Sequence, residues 1–322
     1  VEYVKLGNTG VEVSRICLGC MSLGNPDRGS HNWTLDGPAG RDLVRHAAER
    51  GINFFDTANV YSDGTSETAL GAALKEFTNR DEIVLASKVH GRMRPGPNGA
   101  GLSRKAIFAE LDHSLRRLDV DYLDLYQIHR FDPTTPIEET LEALNDAVRV
   151  GKVRYLGASS MSAWQFAKAL FVSRAHGWAE FVTMQNHYNL LYREEEREMV
   201  PLCLDQKVAM LPWSPLARGR LTRDWDETTT RSANDEFGRN LYPNSDRSIV
   251  QAVARVAQAR GVSRSQVALA WLLAQPGVVA PILGATKPEH LDEAISASKL
   301  HLHEDDMFTL ESGYVPHDIA GH

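Results

Sequence analysis

Short apolar runs alternate with longer amphipathic stretches along almost the whole chain. The runs are Ile16–Met21, Ile52–Asp56, Ile83–Val89, Tyr122–His129, Val153–Ala158, Phe181–Asn186, Ala209–Ser214 and Val279–Leu283. Between them lie helical patterns such as Pro38–Arg50, Ser103–Leu118, Ile137–Val150, Ser162–His176, Ser263–Ala274 and Pro288–Ser298. Strands separated by helices pair in parallel, because the crossover returns the chain to the same end of the sheet. Eight such units favour closure into an α/β (β/α)8 TIM barrel. The rival is an open, doubly wound sheet, which would carry a glycine-rich phosphate turn after its first strand. Gly19-Cys-Met-Ser-Leu-Gly24 does not fit that pattern, and no P-loop motif occurs.

With 322 residues, 43% hydrophobic and 24% charged, the chain reads as one domain spanning residues 1–322. Its net charge of −7 and lack of a long Lys/Arg run argue against a nucleic-acid partner. Val1 to Gly10 has no signal-peptide pattern, and no run of 18 apolar residues suggests a membrane partner, so a cytoplasmic location is expected. Three cysteines do not make a disulfide framework, and the strand spacing of Cys17 and Cys20 sends their side chains to opposite faces. Two segments fall outside the repeat. Val4–Val13 reads as a hairpin before the first barrel strand, and Pro215–Asp246 reads as a long covering loop at the C-terminal face.

The chemistry is signalled by how the strands end. Apolar runs finish in Asp56, Lys88, His129, Ser159-Ser160 and Gln185-Asn186. In a barrel those positions converge on the C-terminal rim, where active sites are built. One polar strand end is ordinarily a capped structural group; several converging from different strands are not.

These residues carry a resemblance to the aldo-keto reductase superfamily over essentially the whole chain. The segments are Asn53-Phe-Phe-Asp-Thr-Ala-Asn-Val-Tyr61, Gly64-Thr-Ser-Glu67, Ala86-Ser-Lys88, Asp124-Leu-Tyr-Gln-Ile-His129, Gly157-Ala-Ser-Ser160, Trp213-Ser-Pro-Leu-Ala-Arg-Gly219 and Pro281-Ile-Leu-Gly284. In detail they look closer to the bacterial and potassium-channel β-subunit-like branches than to the mammalian aldose reductase branch. The resemblance implies a catalytic tetrad of Asp56, Tyr61, Lys88 and His129. Hydride delivered to a carbonyl carbon leaves charge on oxygen, which a proton donor must meet. Tyr61 is the candidate donor; a free phenol, titrating near roughly 10, is a reluctant acid. The Lys88 ammonium would stabilise phenolate, Asp56 would hold Lys88, and His129 would orient the carbonyl.

The same resemblance implies a nicotinamide site with no metal. Ser159, Ser160 and Gln185 are similar to the family's carboxamide anchors, although the family more often has Asn where Ser160 stands. Trp213 matches the aromatic ring against the nicotinamide, while Ser214, Pro215, Leu216 and Gly219 would border the pyrophosphate; Arg218 and Arg220 are either assisting cations there or surface residues. Gly284, Thr286 and Lys287 lead into the last barrel helix, whose amides favour a phosphate. Lys287 adds a point charge suited to a 2′-phosphate, so NADPH is expected over NADH. His290 and Glu293 would meet the adenosine end. For substrate, Trp33, Tyr188 and Tyr192 are expected walls, and Phe131 beside His129 either lines the site or packs beneath it.

The expected activity is NADPH-dependent reduction of an aldehyde or ketone, with a small-molecule carbonyl as the only partner implied. Two alternatives stay open: a cofactor-binding regulatory or redox-sensing subunit with slow turnover, and physiological oxidation of a sugar or secondary alcohol. The sequence leaves oligomeric state open. Asn32-Trp-Thr34 reads as a chance sequon, and His301-Leu-His303-Glu304 as solvated surface.

Overall fold

The computed structural model describes residues 1–29, 33–229, 235, 238 and 241–321. The chain opens with an antiparallel hairpin, β1 (Tyr3–Lys5) and β2 (Glu12–Ser14), paired at Val4 and Val13. Parallel strands β3 (Cys17–Gly19), β4 (Phe54–Asp56), β5 (Val84–Val89) and β6 (Leu123–Ile128) follow. Then come β7 (Val153–Ser159), β8 (Phe181–Gln185), β9 (Ala209–Met210) and β10 (Ile282–Gly284). Their order is β10-β3-β4-β5-β6-β7-β8-β9.

The seam between the outermost strands closes the barrel. Val279 N donates to Met210 O at 3.0 Å, Ile282 N donates to Pro212 O at 2.8 Å, and Trp213 bridges Ile282. Regular pairing is short here because Pro212 and Pro281 have no amide to donate. This is why the sequence-read strands Ala209–Ser214 and Val279–Leu283 shrink to two and three ladder residues.

Helices α1 (Gly37–Glu49), α2 (Thr65–Phe77), α3 (Arg104–Leu118), α4 (Ile137–Arg149) and α5 (Ala163–His176) cover the early strands. They are followed by α6 (Met199–Gln206), α7 (Arg247–Arg260), α8 (Arg264–Leu273), α9 (Pro288–Ala297) and α10 (Glu304–Glu311). Their sequences carry start signals and core stripes. Ser103 Oγ accepts from Ala106 N at the head of α3, and Ser263 with Gln266 forms a capping box on α8. In α4, Ile137, Leu141, Leu144 and Ala147 recur at helical spacing and are buried. Helix α2 has no such stripe. Its buried face holds Ser66, Glu67, Gly71 and Ala73 beside Leu70 and Leu74, so periodicity alone does not reveal it.

Two apolar layers result. Helices pack on the outside of the strands, while Cys17, Phe54, Val84, Leu125, Ala209 and Ala280 fill the barrel. Leu6 and Val13 of the hairpin join that inner layer, fully buried, and plug the N-terminal mouth. Cys17 belongs to the inner layer and Cys20 to the outer one. Of the region after β9, Ala217–Thr222 forms a 3-10 turn, whereas residues 230–234, 236, 237, 239 and 240 lie outside the described residues. Asn32 of the sequon lies outside them too. Among the described residues no helix is long and apolar enough to cross a membrane.

Leu6→Ala empties the centre of the plug and should cost about 2–5 kcal/mol, as large-to-small core changes do. Urea denaturation checks this; an unchanged midpoint would mean that the hairpin does not seal the core.

Candidate active site

The rim at the strand C-termini brings Asp56, Tyr61, Lys88 and His129 together. Asp56 ends β4 and Lys88 stands near the end of β5, its neighbour in the sheet. The Lys88 ammonium donates to Asp56 Oδ1 at 2.5 Å, to Thr57 O at 2.9 Å and to Tyr61 OH at 3.4 Å. Burial alone would favour neutral lysine, but the charges of Asp56 and Tyr61 and their hydrogen bonds outweigh it. The net result lies above the ordinary lysine value, so Lys88 stays charged. The other Asp56 oxygen accepts from Gln127 Nε2 at 2.8 Å and from Gln185 Nε2 at 2.9 Å. These two glutamines come from β6 and β8, so four strands converge on one carboxylate. Gly157, on the intervening β7, makes this possible: a Cβ there would collide with Thr183 Oγ1 and Gln127 Cγ.

Tyr61 stands on a tight turn directly after β4. Ser62 and Asp63 adopt left-handed φ values of 48° and 50°, strained for residues with a side chain. Gly64, at φ 88°, lets Arg117 pack closely, and Arg117 Nε donates to Glu67 Oε2 at 2.6 Å. Glu67 Oε1 in turn accepts from Ser87 Oγ at 2.5 Å, on the residue before Lys88. The buried Glu67 therefore ties the Tyr61 turn and α2 to β5. Residue spacing offers no sign of this; the Gly64–Glu67 motif marks the place without giving the reason.

His129 follows β6, and its ring meets Tyr61 edge-on with centroids 5.7 Å apart. Burial, then the charges of Lys88, Arg130 and His90, push its titration well below the ordinary histidine range. The imidazole is neutral at physiological pH and offers one N–H donor at the rim.

Beside the tetrad lies a polar region suited to an amide. Ser159 Oγ and both polar side-chain atoms of Asn186 are buried with no hydrogen-bond partner among the described residues. Buried orphans of this kind mark where a polar group fits. Ser160 differs: its Oγ accepts from Trp213 Nε1 at 2.9 Å, so it orients the indole. Trp213 stacks on His187 at 4.2 Å, and His187 stacks on Tyr192 at 4.1 Å.

The remaining candidates are spread along the β9–β10 side of the rim. Ser214 and Gly219 have φ of 52° and 90°, and Pro215 and Leu216 lie in the same turn. Arg220 packs over Trp225 at 4.7 Å and donates to its carbonyl. Gly284 leaves open space beside β10, and Thr286 N lies 3.4 Å from His290 Nδ1. Lys287 caps α9, exposed, with no carboxylate in ion-pair range among the described residues. Glu293 faces α8 and accepts from Ser265 Oγ.

The expected substrate walls differ in burial. Tyr188 is fully buried, packs on Trp271 of α8 and donates to Glu196, so it belongs to the core behind the rim. Tyr192 is likewise buried, behind His187. Trp33 is half-buried after β3, and Phe131 half-buried after β6.

Residues 15–314 match the model of the aldo/keto reductase family. The chain is 40% identical to versiconal hemiacetal acetate reductase of Aspergillus parasiticus, over 99% of its own length and 98% of that protein's. It is 41% identical to an aldo-keto reductase of Alternaria alternata, over 99% of this chain and 93% of that one. A Schizosaccharomyces pombe protein provisionally named aryl-alcohol dehydrogenase is also 41% identical, over 99% and 97%.

Because His129 titrates low when folded, the unfolded chain takes up its proton first as pH falls. Stability should therefore decline as pH drops below about 6.5, the free histidine value, toward the folded value. Urea midpoints measured from pH 7 to 4 should show this fall, shallower in His129→Gln; parallel curves would contradict a neutral His129.

Proposed function

The chain belongs to the aldo/keto reductase family of oxidoreductases, and on that premise we propose that it reduces aldehydes or ketones to alcohols with NADPH, using Tyr61 as the acid. The observation that carries this reading is the charged Lys88, bonded to Asp56 at 2.5 Å and to the Tyr61 hydroxyl at 3.4 Å.

Bound nicotinamide would supply the hydride that forms the new C–H bond. The carbonyl π pair then moves onto oxygen, which takes the Tyr61 proton. Lys88 stabilises the phenolate left behind, and Asp56, fixed by Gln127 and Gln185, keeps Lys88 in place. Neutral His129 donates to the carbonyl oxygen and orients it before transfer. Tyr61 regains its proton from solvent. The same groups serve alcohol oxidation in reverse.

The residues present suit the cofactor. Ser159 and Asn186 offer buried polar atoms, unpartnered among the described residues, to a carboxamide, and Trp213 offers a braced aromatic wall. Lys287 and the first amides of α9 suit a phosphate, which favours NADPH over NADH. The reductase and dehydrogenase names of the relatives support turnover over a purely regulatory role.

Absorbance of NADPH with a panel of aldehydes tests the whole reading. Tyr61→Phe should lower kcat by about 100-fold or more while NADPH still binds; wild-type turnover in that variant would remove Tyr61 as the acid. Tight NADPH binding with no turnover of any aldehyde by the wild type would mark a cofactor-sensing protein instead. Lys287→Glu should lower the NADPH/NADH preference by about tenfold, equivalent to roughly 1.4 kcal/mol. An unchanged ratio would remove Lys287 from the phosphate site.

A further inference from the structure

The rim between β6 and β7 carries a large aromatic surface that the reductase chemistry leaves unused. Ile128 pairs with Ala158, so the segments leaving these strands, from His129 and from Ser159, are neighbours. One is expected to orient the carbonyl and the other to hold the carboxamide. Phe131 lies two residues beyond His129. Trp164 lies in the first turn of α5, reached from β7 by a short connection and fixed by the Ser162–Gln165 capping box. The two rings meet at 6.4 Å with a 59° tilt, and Trp164 is 63% exposed. The exposed indole and the half-buried Phe131 ring together present flat apolar area at the head of the helix.

Between His129 and Phe131 stands a cation, Arg130, without a carboxylate partner among the described residues. The Arg130 guanidinium is half-buried and donates from one nitrogen to His129 O at 2.6 Å. Among the described residues no carboxylate lies within ion-pair distance of it. Asp132, two residues on, is occupied by its own loop, accepting from Leu102 N, Thr134 N, Thr134 Oγ1 and Thr135 Oγ1. Removing a charge from water without a counter-ion is unfavourable, so such a cation is suited to an anion arriving with a ligand. The candidate phosphate contacts lie at β9 and β10, across the barrel from β6, so this anion is not the cofactor's.

We propose that Phe131 and Trp164 hold the ring of an aromatic carbonyl substrate and that Arg130 pairs with an acidic group on that ring. The proposal rests on the reductase reading and narrows it to a substrate class, aryl aldehydes or ketones bearing a carboxylate or similar anion. The flat rings supply stacking area, and the guanidinium, bonded to the His129 carbonyl, supplies charge and geometry on the segment that follows His129.

Calorimetry with benzoate, cyclohexanecarboxylate and benzyl alcohol, each added to protein saturated with NADP+, tests both parts without turnover. Benzoate should bind at least tenfold more tightly than either of the others. Trp164→Ala should abolish the preference over cyclohexanecarboxylate, and Trp164→Phe should largely restore it. Arg130→Met should abolish the preference over benzyl alcohol. Equal affinities in the wild type, or preferences that survive these changes, would overturn the proposal, as would a self-association lost in Trp164→Ala with no change in benzoate binding. A parallel assay of butanal with NADPH separates the two claims. Turnover of butanal without selective benzoate binding leaves the reductase reading standing and removes this one. Selective benzoate binding without turnover of any aldehyde removes the reductase reading and with it the substrate assignment, leaving only a site for aromatic anions.

Discussion

A lysine with no solvent exposure can stay charged only if the protein replaces its hydration shell completely, and the rim is organised around that requirement for Lys88. Asp56 supplies the counter-charge and Thr57 O a further acceptor. The carboxylate itself then needs donors, which Gln127 and Gln185 provide from strands that are not its neighbours. A buried pair of this kind is weak as a source of net stability, yet removing one partner typically costs about 3–5 kcal/mol. The closed barrel is the condition for the arrangement: β4, β5, β6 and β8 can address one point only when the sheet curls. Gly157 is where the cost of convergence is visible, since a side chain there would occupy the space that Gln127 and Thr183 use.

The ion pair also accounts for features outside the barrel. Tyr61 must meet Lys88, yet it stands on a turn with two strained residues, and turns are free to shift. Glu67 restrains this one by joining Ser87 on β5 to Arg117 on α3, through a helix with little apolar stripe of its own. Here α2 is positioned by polar contacts as much as by burial. That is why its face holds Ser66, Glu67 and Gly71 where a core helix would carry leucines.

This division explains what could be read from the sequence. Asp56, Lys88 and His129 are legible because each interrupts an apolar run at its end, and barrel topology gathers run ends at one rim. All eight strands are legible for the same reason, with the seam strands shortened by Pro212 and Pro281. Helix α2 is obscured because its stabilising contacts are between polar groups far apart in the chain. The placement of Tyr188 is not legible because an aromatic after a strand can turn either way, and its contacts with Trp271 and Glu196 fix its direction. Ser160 shows the same limit: it is visible at the end of a strand, but its bond to the Trp213 indole is not.

The indole is braced through several layers of the fold. With Ser160 holding its N–H, Trp213 is fixed at one edge, and His187 and Tyr192 back it in near-parallel planes of 10° and 11°. Tyr192 OH accepts from Ala320 N, so the C-terminal tail is bonded to the outer ring of the stack. The tail is secured in turn by His317, whose ring pairs with the buried Asp246 at 2.9 Å, at the end of the long segment after β9. The bond to Asp246 outweighs burial and raises His317 above the ordinary histidine range. This contribution is complete below the free histidine value, about 6.5, and fades as pH rises through the raised one. A wall for a flat ring needs rigidity more than any particular partner. Here two segments widely separated in sequence supply that rigidity to the Trp213 indole through His187 and Tyr192.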